Sequence, residues 1–201
     1  ALPPELPIVE IITPHAYLLN ERGERMSELA SGDRLALPSS VETLPGGEAH
    51  IYFPDASVAR LEDGTTAHFT RGDYRVETDT LAVRSRMSIG GIWSKIMELA
   101  TPESLWEVET SNMVATVRGT AFGVRVRADT SSEIIGSQGR VSVILRDSIS
   151  GELVPDIAVL IEGENYVRLT DEIVAGVISG SANISGTPIP DAIAQDPCVM
   201  Q

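Results

Sequence analysis

Turn-forming residues recur along this chain at short and regular intervals, and this spacing constrains the fold more than any other feature. Glycines and clusters of Asn, Asp and Ser return every 8 to 16 residues between Gly23 and Gly163. The segments between them alternate apolar and polar residues, which is the period of a half-buried strand. No repeat of fixed length is present. The pattern therefore predicts an all-β sandwich, barrel or solenoid, without a regular solenoid signature.

Three segments show the alternation clearly enough to assign faces. In each segment the apolar residues share one face and the polar residues share the other. The predicted inward residues are Ala49, Ile51 and Phe53, then Phe122, Val124 and Val126, then Val141, Val143 and Leu145. Arg125 and Arg127 are predicted to point outward.

One segment departs from the strand pattern. Its apolar residues are spaced as on one side of a helix, with Ile92, Ile96 and Leu99 at i, i+4 and i+7 and Trp93 and Met97 beside them. Gly90 and Gly91 precede the segment, and Pro102 follows it, which supplies plausible ends. The spacing predicts one short helix near residues 91–99 that packs on the sheet.

The chain divides by composition into three parts. Residues 1–7 form a proline-rich lead, and residues 8–170 form the predicted β domain. Residues 171–201 begin with a small and apolar segment, predicted to be a last strand or a short helix. They continue as a tail rich in Gly, Ser and Pro.

The overall charge excludes several classes of partner. There are 29 acidic and 15 basic residues, which gives a formal net charge of −14. Such a chain is not expected to bind nucleic acid or an anionic membrane surface. No apolar run reaches 18 residues, so no transmembrane segment is predicted. The single cysteine, Cys198, excludes a disulfide within the chain and a zinc site that needs two thiolates.

The familiar sequence signatures of enzymes are missing. The chain has no phosphate-binding loop, no G-x-S-x-G elbow and no histidine pair at helical spacing. His15, His50 and His68 lie on separate predicted strands or turns. We therefore expect no catalytic residues, no cofactor and no metal, and predict that the protein is not an enzyme.

Two acidic pairs and one tripeptide match patterns that are known from functional sites. Asp55 with Asp63, or Glu107 with Glu109, fits a glycosidase or a calcium site, whereas the ordinary interpretation is a solvated acidic surface. Residues 71–73 spell Arg-Gly-Asp, which some adhesion receptors recognise on a loop. We expect only a Gly-Asp turn there, between a strand that ends near Phe69 and one that starts near Tyr74.

The middle of the chain resembles a known family. The stretch WEVETSNMVATVRGTAFGVRV carries a V-R-G-T-x-F run, formed here by Val117, Arg118, Gly119, Thr120 and Phe122. Upstream, Gly32-Asp33 and the turn at Gly46-Gly47 occur in the same order as in that family, with Asp55-Ala56-Ser57 where Asp-Gly-Ser is usual. Downstream, SQGRVSVIL and LIEGENYVRL resemble its closing strands. Together these motifs, over roughly residues 8–170, resemble the FecR domain.

The resemblance implies a mainly β, solenoid-like domain without catalysis that lies outside the cytoplasm, in the periplasm, secreted or at the cell surface. In the best-known members it belongs to a regulator that senses an outer-membrane receptor, while a cytoplasmic segment controls a sigma factor. The residues themselves are consistent with a structural role. Gly119 is expected to supply a kink or a close backbone approach, and Arg118 to tie a turn or pair with a carboxylate.

Two classes of function remain open. The first is a protein-binding or signalling module at the cell envelope. The alternative is a structural subunit of a cell-surface assembly or filament, a homo-oligomer held together by strand exchange through its ends. The candidate assembly strand comprises Ile8, Val9, Ile11 and Ile12, which follow the prolines of the lead. The other interpretation of this strand is that it starts the domain's own sheet.

Overall fold

The chain folds into two mainly antiparallel sheets that pack face to face. The computed structural model describes residues 6–97, 101, 103–117, 119 and 121–195. The elements, in chain order, are β1 (Ile8–Thr13), β2 (Ala16–Leu19), β3 (Arg25–Glu28), β4 (Ser39–Thr43), β5 (Glu48–Tyr52), β6 (Val58–Leu61), β7 (Thr66–Arg75), β8 (Thr80–Lys95), β9 (Leu105–Glu109), β10 (Met113–Val117), β11 (Ala121–Val126), β12 (Ser132–Gln138), β13 (Arg140–Arg146), β14 (Leu153–Glu162), β15 (Asn165–Leu169), α1 (Asp171–Ile178), β16 (Thr187–Pro188) and α2 (Asp191–Ala194).

Sheet A has the strand order β1-β5-β6-β8-β11-β12-β15-β16, and sheet B has the order β3-β2-β4-β7-β8-β9-β10-β13-β14. Neighbouring strands are antiparallel except β8 and β9, which run parallel. This pairing is that of a sandwich, one of the architectures predicted from the sequence. The all-β class predicted from the sequence is confirmed.

Strand β8 belongs to both sheets. Its first half, through Ile89, pairs with β7 and β9 in sheet B, and its second half, from Gly90, pairs with β6 and β11 in sheet A. The change of sheet falls at Gly90, whose φ is +90°. A Cβ there would lie 2.4 Å from the Cα of Thr65, so the crossing requires glycine for both conformation and space.

The core lies between the two sheets and is built mainly from aliphatic side chains. The predicted inward residues of all three alternating segments are buried there. Among the few aromatic residues, Phe53 contacts Trp106 edge to face, with ring centroids 4.9 Å apart. Helix α1 closes one end, with Thr170 as its N-cap and Val174 in the core. Of the two structures predicted for this segment, the short helix is correct.

The helix predicted near residues 91–99 is wrong over its first half, because residues 91–95 are part of β8. Both faces of β8 are covered here: Ile92 faces the core between the sheets, and Trp93 packs in a second cluster on the opposite face. A strand that is buried on both faces carries consecutive apolar residues, so helical spacing arises without a helix. Residues 98–100 lie outside the described residues.

The turn expected at the Arg-Gly-Asp tripeptide is also wrong. Strand β7 continues through these residues, with a register irregularity between Phe69 and Arg71. Arg71 and Asp73 bond to each other, Nε to Oδ2, at 2.7 Å. A Cβ on Gly72 would lie 2.3 Å from Cδ1 of Leu37, so glycine here serves close packing. The tripeptide is a strand segment and not a loop tip.

Candidate functional site

The outer face of sheet A, which points away from sheet B, carries a row of charged side chains. The strand register places Arg125 opposite Gly91 on one side and Glu133 on the other, and Glu133 opposite Arg168. Glu62 lies beside Gly91, to which its backbone N–H donates a hydrogen bond of 2.9 Å. We call Glu62, Arg125, Glu133 and Arg168 the charged row. Signs alternate along it, so each side chain has an opposite charge as its neighbour.

Glu62 and Arg125 form a bidentate pair that spans β8. Nε of Arg125 donates to Oε2 at 2.8 Å, and Nη2 donates to Oε1 at 2.6 Å. The indole N–H of Trp93 donates to Oε1 as well, at 2.8 Å. The bridge passes over Gly91, where a Cβ would lie 1.9 Å from Oε2 of Glu62. The missing side chain on β8 therefore makes room for an ion pair between its two neighbours.

A second carboxylate in the row, that of Glu133, is buried and is paired with an arginine. Glu133 is 3% exposed and accepts a 2.7 Å bond from Nη2 of Arg127, which raises the pKa of that guanidinium. The Tyr166 phenol lies near the same carboxylate. Burial first, and then this carboxylate, raise the pKa of the Tyr166 phenol to about 12. The phenol therefore remains a neutral hydrogen-bond donor at every physiological pH.

Next to the charged row lies an apolar patch, which we define as Trp93, Ile135 and Tyr166. Gly123 separates Trp93 from Ile135 in the register, and its missing side chain lets the indole ring lie flat over β11. The C-terminal segment covers this patch with Ile189 and with Ile193 of α2. This cluster is separate from the core between the sheets.

A cleft of about 500 Å³ opens beside the charged row. Its walls are the turn at Gly46-Gly47, the β8 backbone at Gly90-Gly91, and the charged side chains on and beside β6 and β11. The lining carries both signs of charge, from Glu48, Arg60, Glu62, Asp63, Arg125 and Arg127. Several of these groups are paired: Arg60 Nε lies 2.9 Å from Oε1 of Glu48. Such a cleft is suited to binding a polar surface of mixed charge.

In the two predicted acidic pairs, the carboxylates of Asp55, Glu107 and Glu109 are occupied by other partners. Arg84 and Arg86 lie opposite Glu107 and Glu109 in the β8–β9 register and bond to them at 2.6 and 3.0 Å. Asp55 caps its own turn by accepting from the backbone N–H and the hydroxyl of Ser57. Asp63 lies at the other end of β6. Neither pair forms the open carboxylate arrangement that a glycosidase or a calcium ion needs.

The three histidines stay apart, as expected from the sequence. Nδ1 of His15 is 2.6 Å from Glu28, Nε2 of His50 is 3.0 Å from Glu48, and Nδ1 of His68 is 2.7 Å from the Ser40 hydroxyl. Within the described part of the chain, no group of three His, Cys, Asp or Glu residues is arranged to hold a metal ion.

The V-R-G-T-x-F run connects the two sheets. Val117 ends β10 in sheet B and Phe122 lies in β11 of sheet A, and both are buried. Gly119 has a φ of +66°, in the left-handed region that favours glycine. Arg118 and Thr120 lie outside the described residues, so their predicted roles stay predictions.

The candidate assembly strand pairs within its own chain. β1 is antiparallel to β5, and Val9 on it is fully buried. On the side away from β5, Val9 exchanges backbone hydrogen bonds with Gly32 and Asp33, and the N–H of Ile11 donates to the Ser31 hydroxyl. Ile8 and Ile12 are partly exposed. In this arrangement β1 starts the domain's own sheet, and a role of β1 in assembly remains a prediction.

The sequence predicted the outward arginines of this face but missed their partners. Alternation alone identifies Arg125 and Arg127. Glu62 follows a short strand at a turn, and the apolar spacing around Trp93 predicts a helix, so the sequence connects neither residue to β11. The signal available in the sequence was the pair Gly91 and Gly123, two glycines inside apolar segments, which indicate close approach.

Comparisons with known proteins agree with this architecture. The family model described as FecR protein matches residues 39–150, which is more than half of the chain. Two crystal structures of a proposed anti-sigma factor from Parabacteroides distasonis ATCC 8503 align with a TM-score of 0.51 and 16% sequence identity. The alignment covers 74% of this chain and 59% of that protein, and at this identity it is a likeness of fold.

A search of curated proteins gave no match. In the described part of the chain, no helix is long and apolar enough to cross a membrane. The match over β4 to β13, the buried ends of the V-R-G-T-x-F run and the shared fold lead to one conclusion: the chain belongs to the FecR family.

Proposed function

We propose that this chain is the non-catalytic, protein-binding module of a signalling regulator at the cell envelope, located outside the cytoplasm. The observation that carries the proposal is the composition of the outer face of sheet A. There a mixed-charge cleft adjoins an apolar patch that contains Trp93 and Tyr166. Aromatic and arginine side chains at the centre of a polar rim are typical of protein interfaces.

Family membership and chemistry support the same proposal. The FecR resemblance implies a regulator, and the structural neighbour is itself described as an anti-sigma factor. Glu62 and Glu133, the central carboxylates of the face, are each held by an arginine, and Glu62 also by the Trp93 indole, which suits recognition better than proton transfer. The formal net charge of −14 favours a basic protein surface as partner over nucleic acid.

Site-specific photocrosslinking in the native host tests this proposal. A photoreactive side chain replaces Asp63, which is exposed at the rim of the cleft, and in a matched control it replaces Glu77, exposed in the β7–β8 turn. We expect a protein adduct from position 63 that position 77 does not give. Asp63→Arg should weaken that adduct, whereas Glu77→Arg should not. Equal adducts from both positions would contradict the proposal.

The structural-subunit alternative remains a separate proposal. It predicts ordered polymers in electron microscopy and a concentration-dependent mass in light scattering. The pairing of β1 on both edges within its own chain favours the binding module, because a donated strand would first have to break those hydrogen bonds.

A further inference from the structure

The apolar patch on sheet A already has an occupant, the C-terminal segment of the same chain. Thr187 and Pro188 form β16 beside β15, and Tyr166 lies opposite Thr187 in the register. The chain then turns back over the outer face, where Ile189 and Ile193 pack on Trp93 and Ile135. The segment thus combines strand addition at an edge with two isoleucines, four residues apart, over an apolar groove.

This segment is attached by few interactions. β16 is two residues long, and α2 is a single turn of four residues whose N-cap makes no side-chain hydrogen bond. A helix of one turn and a two-residue strand are not stable alone, so their structure depends on the groove. The residues that connect the segment to α1, from Ser179 to Gly186, are mostly exposed and contain two glycines and three serines.

Release of the segment leaves the core between the sheets intact. Ile189 and Ile193 belong to the outer cluster, whereas Val174 of α1 packs in the main core between the sheets. Local opening of residues 187–195 therefore has a lower free energy than global unfolding. It exposes an aromatic and aliphatic groove directly beside the charged cleft.

We propose that the patch of Trp93, Ile135 and Tyr166 is a peptide-binding groove, and that residues 187–195 occupy it until a partner segment displaces them. The partner segment has the same chemistry: an extended pair of residues added to β15, then one aliphatic side chain just before a helical turn and a second, four residues later, within that turn. This inference rests on the proposed binding function and names the part of the partner that the face recognises.

The structure also indicates why a partner, and not a second copy, is the displacing molecule. An eight-residue connection keeps the chain's own segment at a local concentration in the millimolar range, which the same segment on another molecule does not match. The attached segment leaves the cleft of Glu62, Asp63 and Arg125 uncovered. A partner that fills both the groove and the cleft gains contacts that the chain's own segment lacks.

The test uses the full chain with Ile189→Ser and Ile193→Ser, which weakens the built-in occupant. A fluorescent peptide with the sequence of residues 185–195 is added, and binding is followed by anisotropy. We expect the variant to bind the peptide at least tenfold more tightly than the unmodified chain. Ile149→Ser, at an isoleucine that is 97% exposed on a distant turn, is the matched control and should bind as weakly as the unmodified chain. A peptide with both isoleucines replaced by serine should not bind.

Hydrogen exchange on the unmodified chain gives an independent measurement in case the double variant does not fold. The amides of Ile193 and Ala194 bond to the Pro190 carbonyl and should exchange at least tenfold faster than those of Ile134 and Ile135 in β12. Two results would contradict the peptide-binding groove. One is equal peptide binding by the double variant and the unmodified chain. The other is that the amides of Ile193 and Ala194 exchange only on global unfolding, as those of Ile134 and Ile135 do. Peptide binding without a crosslink from position 63 would instead contradict the proposed function alone.

Discussion

Gly91 and Gly123 have related roles on adjacent strands. Each leaves a gap on the outer face of sheet A that a side chain from a neighbouring strand fills. The Glu62–Arg125 pair passes over Gly91, and the indole of Trp93 lies over Gly123, where a Cβ would be 2.9 Å from the ring. Both glycines weaken a strand locally, since glycine has more backbone entropy to lose. In return, Gly91 makes room for an ion pair between two mostly buried side chains, and Gly123 makes room for the Trp93 indole.

We expect Gly91→Ala to lower the free energy of unfolding by about 1–3 kcal/mol, because its Cβ would overlap the Glu62 carboxylate and separate it from Arg125. Urea denaturation followed by circular dichroism measures the change. The matched control is the same substitution in a Glu62→Ala background, where the obstructing side chain is gone and the cost should be small. An equal cost in both backgrounds would show that the backbone at this position, and not the bridge, requires glycine.

The raised pKa of Tyr166 predicts that the free energy of unfolding depends on pH in the alkaline range. Its pKa is about 12 in the folded chain and 10.0 in an unperturbed phenol, so the unfolded state loses its proton first. Stability from this group is therefore complete below pH 10 and is lost as the pH rises towards 12. The unfolding free energy of Tyr166→Phe should fall less steeply over this range. Absorbance at 295 nm should show one fewer phenol titrating near pH 12 in the variant, and an unchanged titration would contradict the assignment.

At the scale of elements, local alternation predicts which residues face inward and which face outward, but it does not predict which strands pair. The inward and outward residues of β5, β11 and β13 follow from period two alone, and the structure confirms them. The second half of β8 was mistaken for a helix because alternation vanishes where both faces are covered. The charged row was not predictable for a different reason: it joins Glu62, just after β6, to residues of β11, β12 and β15, and only tertiary pairing brings these strands together.

Strand β1 carries the prediction for the N-terminal end. Deletion of residues 1–12 should unfold the domain, because it removes the fully buried Val9 and uncovers the edge of β5. Loss of the cooperative thermal transition in circular dichroism is the expected result. Ile12→Ser serves as a control at a residue that is 47% exposed, and it should leave the transition in place. A truncated chain that stays folded, fails to assemble and binds the deleted peptide in trans would instead establish strand donation.

At the scale of the whole molecule, charge opposes compaction. The formal net charge is −14, and the ion pairs of the two outer faces use only part of the acidic residues. Repulsion among the remaining carboxylates destabilises the folded chain and is screened by salt.

We therefore expect the melting temperature at pH 7 to rise between 20 mM and 300 mM NaCl. Near pH 4.5, the isoelectric point of the sequence, net repulsion vanishes and the salt dependence should largely disappear. Differential scanning calorimetry at both pH values measures this. A melting temperature that falls with salt at pH 7 would show that the surface ion pairs outweigh the repulsion.

The passage of β8 from one sheet to the other has a consequence for how the molecule responds to force and heat. Since one continuous backbone is hydrogen-bonded into both layers, the sandwich has no seam along which the layers separate while each stays intact. A load applied to β11 passes through covalent bonds at Gly90 to β7 and β9 on the other side. The two layers should accordingly behave as a single mechanical body, with one rupture event under tension and one heat-absorption peak on melting.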